Sequence, residues 1–488
     1  MSDPDRKLVS EYSETLARAG SITAHDELLS FIHAGAETLD AGRLATMRLL
    51  ARGQIHMELA FTLLDSAKSI VTTHLLHRAS FARAGVALDF IVPNLEPDTV
   101  AYYLNTRPVP TAIVALHMIG RDRLAIMLAA NSPTRSGIRG NRGGYYNCIW
   151  LDGLQKWLAD AMGAFAHTAG GREVDMSLAE KSLKSIGAAV LYLLSGSRPK
   201  HVIFIPHKQL HVLPLHMISV GDVYLHDMVD SISYASSLGE LIFGTVEHTD
   251  RGETSAGRQA SYVSVLDENA GLGGVALERR IVAAYATQLG LQGVRVDVLT
   301  DIEQFAQPDR RCVWLNWNSH GVSDASSWGG SYLELGDREF RAATIATQWQ
   351  FDLRPVVVLA ACQSAIDVSG SSVVDEYCGL DLAFRVAGAR AVVASAWKVS
   401  DPVAALTSAI LPAWWFQGRM HPSVSLTALQ RALRTGTWKQ FLLRNEQLKL
   451  LPPDEADAVH DAQEPLRRLP DDVFSPPRLW ATFRAHGG

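Results

Sequence analysis

The chain is poor in cysteine, with four in 488 residues: Cys148, Cys312, Cys362 and Cys378. They form no CxxC pair, so neither a disulfide framework nor structural zinc is expected, and free thiols suit a reducing compartment. Long apolar runs are missing too. No stretch reaches transmembrane length and Met1–Leu8 is polar, so no membrane span or signal core is expected, and the cytoplasm is the expected location. Net charge is small, −6 at neutral pH, which gives no overall electrostatic case for nucleic acid. There is no G-K-[ST] phosphate loop and no GxSxG elbow, which removes the usual nucleotide-binding and serine-hydrolase readings. Gly271-Leu272-Gly273-Gly274 has the wrong spacing for GxGxxG. His207, His211 and His216 lie close together, but no further ligand completes a metal geometry. No metal and no cofactor are expected.

What remains has the texture of an ordinary globular protein, 47% hydrophobic and 20% charged. Its length fits two domains, or one large α/β domain with an extension. From Asp3 to about Val92 the pattern is helical: Leu44, Met47 and Leu50 recur in threes, and Ile55, Leu59 and Leu63 in fours. No tetratricopeptide period emerges, so residues 1–92 read as a helical bundle with a docking or regulatory role. Beyond it, strand-like and helix-like segments alternate, which predicts a doubly wound, three-layer sheet. Ile113–Met118, Arg123–Ala129, His201–Pro206, Ser261–Asp267 and Val294–Leu299 are among the predicted strands. Trp150–Thr168 and Ser177–Leu194 read as amphipathic helices. The loop Asn131–Gly144 carries Arg135, Arg139 and Arg142, and a solvated turn is preferred there over an anion site.

Two stretches stand out. Trp314–Asn318 and Val356–Ala361 are apolar runs of the kind buried on both faces of a parallel sheet. Each ends in a reactive residue, His320 in one case and Cys362 in the other, 42 positions apart. Sites in open α/β sheets form at the carboxyl ends of strands. A thiol needs a base to become a competent thiolate near neutral pH. One connection between neighbouring strands would set that imidazole and thiol facing each other across a crevice.

Further motifs follow in order. Ile205-Pro206, Leu210–Leu215, Tyr234-Ala235-Ser236-Ser237, Ser319-His320-Gly321, Leu359–Ser364, Asp375–Leu380, Ala387–Asp401 and Trp480-Ala481-Thr482-Phe483 form a series that resembles the CHAT domain. That family is caspase-like and related to separases. The resemblance implies a caspase-like α/β/α sandwich with a mostly parallel central sheet, preceded by an α-helical N-terminal region. It places a catalytic module at 93–488, with its core near 200–415 and a closing strand near 477–485. Leu95–Leu104 resembles the module's opening strand. It further implies a cysteine endopeptidase with Cys362 as nucleophile and His320 as base, acting on a specific protein or peptide. Relatives often serve bacterial immunity or cell death, cleaving a target such as a gasdermin or a CRISPR-linked protein.

Backbone N–H groups of Gly321 and Cys362 are the simplest oxyanion donors, and glycine after the histidine leaves their approach open. Asp375 and Glu376 are candidate substrate-binding acids, although helix capping is the preferred reading of carboxylates there. Trp397 is a candidate pocket wall, with a core aromatic as the alternative. An acid two residues before the nucleophile, as in metacaspase-like relatives, is replaced by Ala360. The caspase pentapeptide is broken at Ser364, so aspartate specificity is not expected. An activating protein partner is expected to dock on the N-terminal helices. The alternatives are a silent interaction module on the same fold, or a non-proteolytic cysteine amidase.

Overall fold

The computed structural model describes residues 3–20, 22, 25–66, 68, 70, 76, 96–119, 122–131, 145–165, 174–243, 260–267, 278–279, 294–299, 310–324, 329–362, 364–365, 379–418, 420–442 and 453–487.

Helices α1 (Pro4–Gly20), α2 (His25–Ala34), α3 (Ala36–Ala51) and α4 (Met57–Ser66) open the chain. Tyr12, Leu16, Leu28, Ile32 and Leu39 bury together and tie α1, α2 and α3 into a small core. Gly42 is obligatory there, because a Cβ would lie 2.2 Å from that of Tyr12. Met47, Phe61 and Leu64 join a second core, under the sheet.

Among the described residues, eleven strands form one sheet. In chain order they are β1 (Thr111–Ile119), β2 (Arg123–Ala130), β3 (Tyr145–Leu151), β4 (His201–Ile205), β5 (Ser231–Tyr234), β6 (Ala260–Leu266) and β7 (Val294–Leu299). β8 (Cys312–Asn318) is followed by a side hairpin, β9 (Gly321–Val322), β10 (Tyr332–Leu335) and β11 (Arg338–Arg341). β12 (Val356–Leu359), β13 (Ala391–Ser395) and β14 (Phe483–His486) complete the sheet. Their spatial order is β3-β2-β1-β4-β5-β14-β13-β12-β8-β6-β7. Pairing is antiparallel at β1–β2, β2–β3 and β13–β14, and parallel at the other junctions.

Both faces are covered, as the unbroken apolar strands require. Val114, Phe204, Val356 and Val358 point into one core. Helices α6 (Met176–Ser197), α7 (Asp401–Gly418) and α8 (Pro422–Thr435) lie against that face. The neighbouring residues Ile113, Ile203, Val357 and Leu359 point to the other face, against α4, α5 (Pro97–Asn105) and helices 342–348 and 380–386. Each fully buried Val or Leu contributes about 1.5–3 kcal/mol. The three-layer α/β/α architecture anticipated from the alternating pattern is therefore the observed one.

Several boundaries differ from expectation. Leu95–Leu104 was expected as a strand, and Pro97–Asn105 is helix α5. Pro97 supplies the fixed φ of a first turn and Asp98 the favoured charge there. Val100, Tyr103 and Leu104 share its buried face, while Tyr102 is 71% exposed. Trp150 lies in edge strand β3 rather than in a helix, which starts at Gln155. The closing segment begins as a helical turn, Pro477–Trp480, and the strand itself is β14. Loop 132–144, helix positions 281–290 and most of loop 364–374 lie outside the described residues.

The placement of β14 matters most. It inserts between β5 and β13 and joins the two halves of the sheet. Arg484 and His486 are buried in it, and His486 Nε2 lies 2.8 Å from Asp381 Oδ2.

Candidate active site

β8 and β12 are parallel neighbours, and Trp317 is level with Leu359. Three residues beyond each, at the same carboxyl edge, stand His320 and Cys362. Ala360 N–H donates to Trp317 O at 2.8 Å and carries the pairing one step past the strands. The equal offset brings the imidazole and the thiol to one cleft. That cleft spans about 300 Å³ of space, part of it open to solvent. The end of β8 supplies Asn318, Ser319 and His320 to it, and the end of β12 supplies Ala360 and Cys362. Val399, Asp401 and Ala404, at the entry to α7, close the third side.

The Cys362 turn is fixed from both flanks. On the β13 side Ser395 Oγ donates to Ala361 O, Ser395 N–H donates to Ser364 Oγ at 3.0 Å, and Ala365 N–H donates to Ser395 O at 2.8 Å. On the other side lies Gly321. A Cβ on Gly321 would sit 2.4 Å from the carbonyl oxygen of Cys362 and 3.2 Å from Cβ of Ala361. Glycine is thus required for a reason beyond open access: the histidine turn rests directly on the cysteine backbone.

The hairpin register also decides what the Gly321 N–H is bonded to. Gly321 is level with Leu333, and Glu334 N–H donates to His320 O at 2.9 Å. In an antiparallel ladder that bond makes Gly321 and Leu333 a non-hydrogen-bonded pair. The Gly321 N–H is therefore not spent on the hairpin.

Electrostatics around the thiol are mixed. Cys362 is half-buried, and burial pushes its thiol up from the ordinary value. The Val399 N–H and the Lys398 ammonium act the other way, while the Asp401 carboxylate adds to the rise. His320 is exposed at the cleft mouth.

The remaining candidates fall elsewhere. Trp397 is buried, 3% exposed, and its Nε1–H donates to Arg478 O at 2.9 Å. It packs in the core and does not line the cleft. Asp375 and Glu376 lie outside the described residues. His207, His211 and His216 are all buried and engage separate groups. His207 Nδ1 accepts from Met118 N–H at 3.0 Å, while His216 bridges Tyr234 Oη and Ala481 O. Among the described residues no group of His, Cys, Asp or Glu is placed to hold a metal, and no helix is long and apolar enough to cross a membrane.

Sequence reasoning missed three contributors: Ser395, Asp401 and Asn318. Ser395 and Asp401 both lie within the motif Ala387–Asp401 that also holds Trp397. Ser395 closes a buried strand and Asp401 opens the helix after it, and those positions were the available signal. Asn318 had none, since its partner is distant in sequence.

A model of the CHAT domain family matches residues 178–488, well over half of the chain. The chain belongs to the CHAT domain family. Its fold is caspase-like, and similar folds occur in two structures of the Saccharomyces cerevisiae separase–securin complex, at 3.0 and 2.6 Å resolution. The TM-score is 0.51 in both, with identities of 9% and 10% over 99% of this chain. The matched region spans 40% and 37% of those chains, so this chain covers well under half of their length. At such identities the likeness is one of fold. No curated protein matches the sequence.

Proposed function

We propose that the chain is a cysteine endopeptidase that cleaves a protein partner. The observation that carries this reading is the placement of His320 and Cys362 at equal register in one cleft, with Gly321 against the Cys362 backbone. His320 takes the thiol proton, and the thiolate attacks the scissile carbonyl carbon. The oxyanion is met by the N–H groups of Gly321 and Cys362. His320 then gives its proton to the leaving amine, and water hydrolyses the thioester with His320 again as base. Family resemblance favours a role in bacterial immunity or cell death, with an activating partner docking on α1–α4.

Asp401 gives the cleft a carboxylate, and a lysine or arginine before the scissile bond is the side chain it suits. In the unliganded protein burial raises the thiol above its ordinary value, so a base is needed to generate the thiolate. The test is labelling by a peptidyl-lysine chloromethyl ketone, located by mass spectrometry. Modification at Cys362, lost in Cys362→Ala and strongly slowed in His320→Ala, is expected. Unlabelled Cys362 alongside efficient cleavage by Cys362→Ala would overturn the assignment and favour another nucleophile.

A further inference from the structure

Beneath the cleft lies a buried polar cluster that the mechanism does not use. Glu278 is fully buried, and the described residues around it are uncharged hydrogen-bond donors. Its Oε1 accepts from Asn316 Nδ2 and from Ser264 Oγ, each at 3.3 Å. Its Oε2 accepts from Asn318 Nδ2 at 2.9 Å. Asn316 is held in turn by Tyr262 Oη at 2.9 Å and by Ser408 O at 3.1 Å. A carboxyl group buried in this way is costly and is kept only where its donors are well placed. Burial pushes Glu278 up, and the bonds from Asn318 and Ser264 oppose that rise.

Asn318 connects this cluster to the cleft. It is the last residue of β8, two before His320, and it lines the same cleft as Cys362 although only 2% of it is exposed. Its carbonyl oxygen on the main chain is held by Asp267 N–H at 3.1 Å. Its side-chain NH₂ is committed to Glu278, which fixes the orientation of the carboxamide. Oδ1 takes no hydrogen bond from the described residues, which leaves that oxygen to the cleft.

We infer that Asn318 binds the substrate backbone, its Oδ1 accepting a peptide N–H of the bound chain, and that Glu278 is the positioning residue that turns the carboxamide the right way round. The inference rests on the endopeptidase reading and adds a contact that aligns the scissile bond. An extended peptide entering the cleft needs an acceptor for its N–H groups, because each one loses water there. A carboxamide free to rotate would offer its NH₂ as often as its oxygen; the carboxylate below removes that ambiguity.

The experiment compares two reagents on the full chain. Iodoacetamide reports thiol reactivity alone. A tripeptidyl-lysine chloromethyl ketone reports thiol reactivity together with backbone binding, and the ratio of the two rates isolates binding. Asn318→Ala is expected to lower that ratio about tenfold, the equivalent of about 1.4 kcal/mol. N-methylation of one peptide nitrogen in the probe should slow labelling of the wild type but add nothing in Asn318→Ala. Glu278→Gln alone sets an NH₂ against donors and should lower the ratio severalfold. Combined with Asn318→Asp, it exchanges donor and acceptor across the same bond and keeps an oxygen facing the cleft, so the ratio should recover. A ratio unchanged in Asn318→Ala would overturn the inference, as would a double variant no better than Glu278→Gln in protein whose folding is verified by circular dichroism. A shifted pH profile for iodoacetamide in Asn318→Ala, with the ratio intact, would assign Asn318 to orienting His320 and also overturn it. Wild-type protein that reacts with iodoacetamide at Cys362 but never with the peptidyl reagent would instead sink the endopeptidase reading itself.

Discussion

Gly321→Ala is the most economical perturbation of the site. The added methyl would start 2.4 Å from the Cys362 carbonyl oxygen, whereas real Cβ contacts essentially never fall below 3.0 Å. The obstacle is backbone, and that backbone is held by Ala360 N–H on β8 and by Ser395 on β13. It has no flexible end that can swing aside. The histidine turn must therefore withdraw by at least about 0.6 Å, the gap between those two distances. Overpacking of this size costs about 1–3 kcal/mol of stability. Its effect on chemistry is larger in relative terms. Misplacement of reacting groups by about 1 Å costs roughly 100-fold, and loss of an oxyanion donor roughly 100- to 1,000-fold. The expected result is at least about 100-fold slower labelling of Cys362 by a peptidyl chloromethyl ketone, with thermal unfolding that remains cooperative. Far-ultraviolet circular dichroism should match the wild type. Labelling within twofold of the wild-type rate would show that the histidine turn does not need this contact, and the geometric argument for the dyad would fail.

Other outcomes follow from the same structure. Iodoacetamide alkylation of Cys362 in the unliganded protein should keep rising with pH beyond the ordinary thiol range, because burial lifts that thiol; a flat profile from mildly acidic pH upward would indicate a preformed thiolate. Arg484→Pro removes the N–H that β14, between β5 and β13, presents to Ala394 of β13 in a hydrogen-bonded pair, and should destabilise the protein by about 3 kcal/mol or more in denaturant unfolding. His201 and His216 are pushed down to about 3, and His226 and His421 to about 4, from 6.5, chiefly by burial. Their folded values lie below the unfolded one, so the stability they contribute is complete above about pH 6.5 and is lost as pH falls toward 4. Each should cost on the order of 1 kcal/mol at pH 5.5, seen as a falling Tm between pH 7 and 5. Cys312 is fully buried with its Sγ–H directed at Trp314 O at 2.8 Å. Cys312→Ser should lower Tm and leave the labelling of Cys362 intact; lost labelling in a folded variant would contradict its packing role.

The sequence by itself determined the elements that depend on local pattern. Val356–Leu359 and Cys312–Asn318 are strands because every side chain in them is apolar or satisfied in the interior, so both faces had to be covered. The positions of His320 and Cys362 just past those runs followed from the same pattern, and the ordered motifs around them were enough to name a family. Local reading failed where competing local signals were close. Leu95–Leu104 carries strand-like residues, but Pro97 and Asp98 begin a helix whose spacing buries Val100, Tyr103 and Leu104.

Only the tertiary structure decided what depends on distant partners. The last strand, β14, lies in the middle of the sheet, since a strand pairs with whichever edges remain open and nothing local encodes that choice. Trp397 turned inward because Arg478, far along the chain, offers it a carbonyl. Asp401 reached the cleft as the first residue of α7, which starts at the same edge of the sheet. Asn318 became part of the site because Glu278, 40 residues earlier, fixes its amide from below. Hydrophobic periodicity reports which face a residue presents to the interior; it carries no information on which polar group will be waiting there.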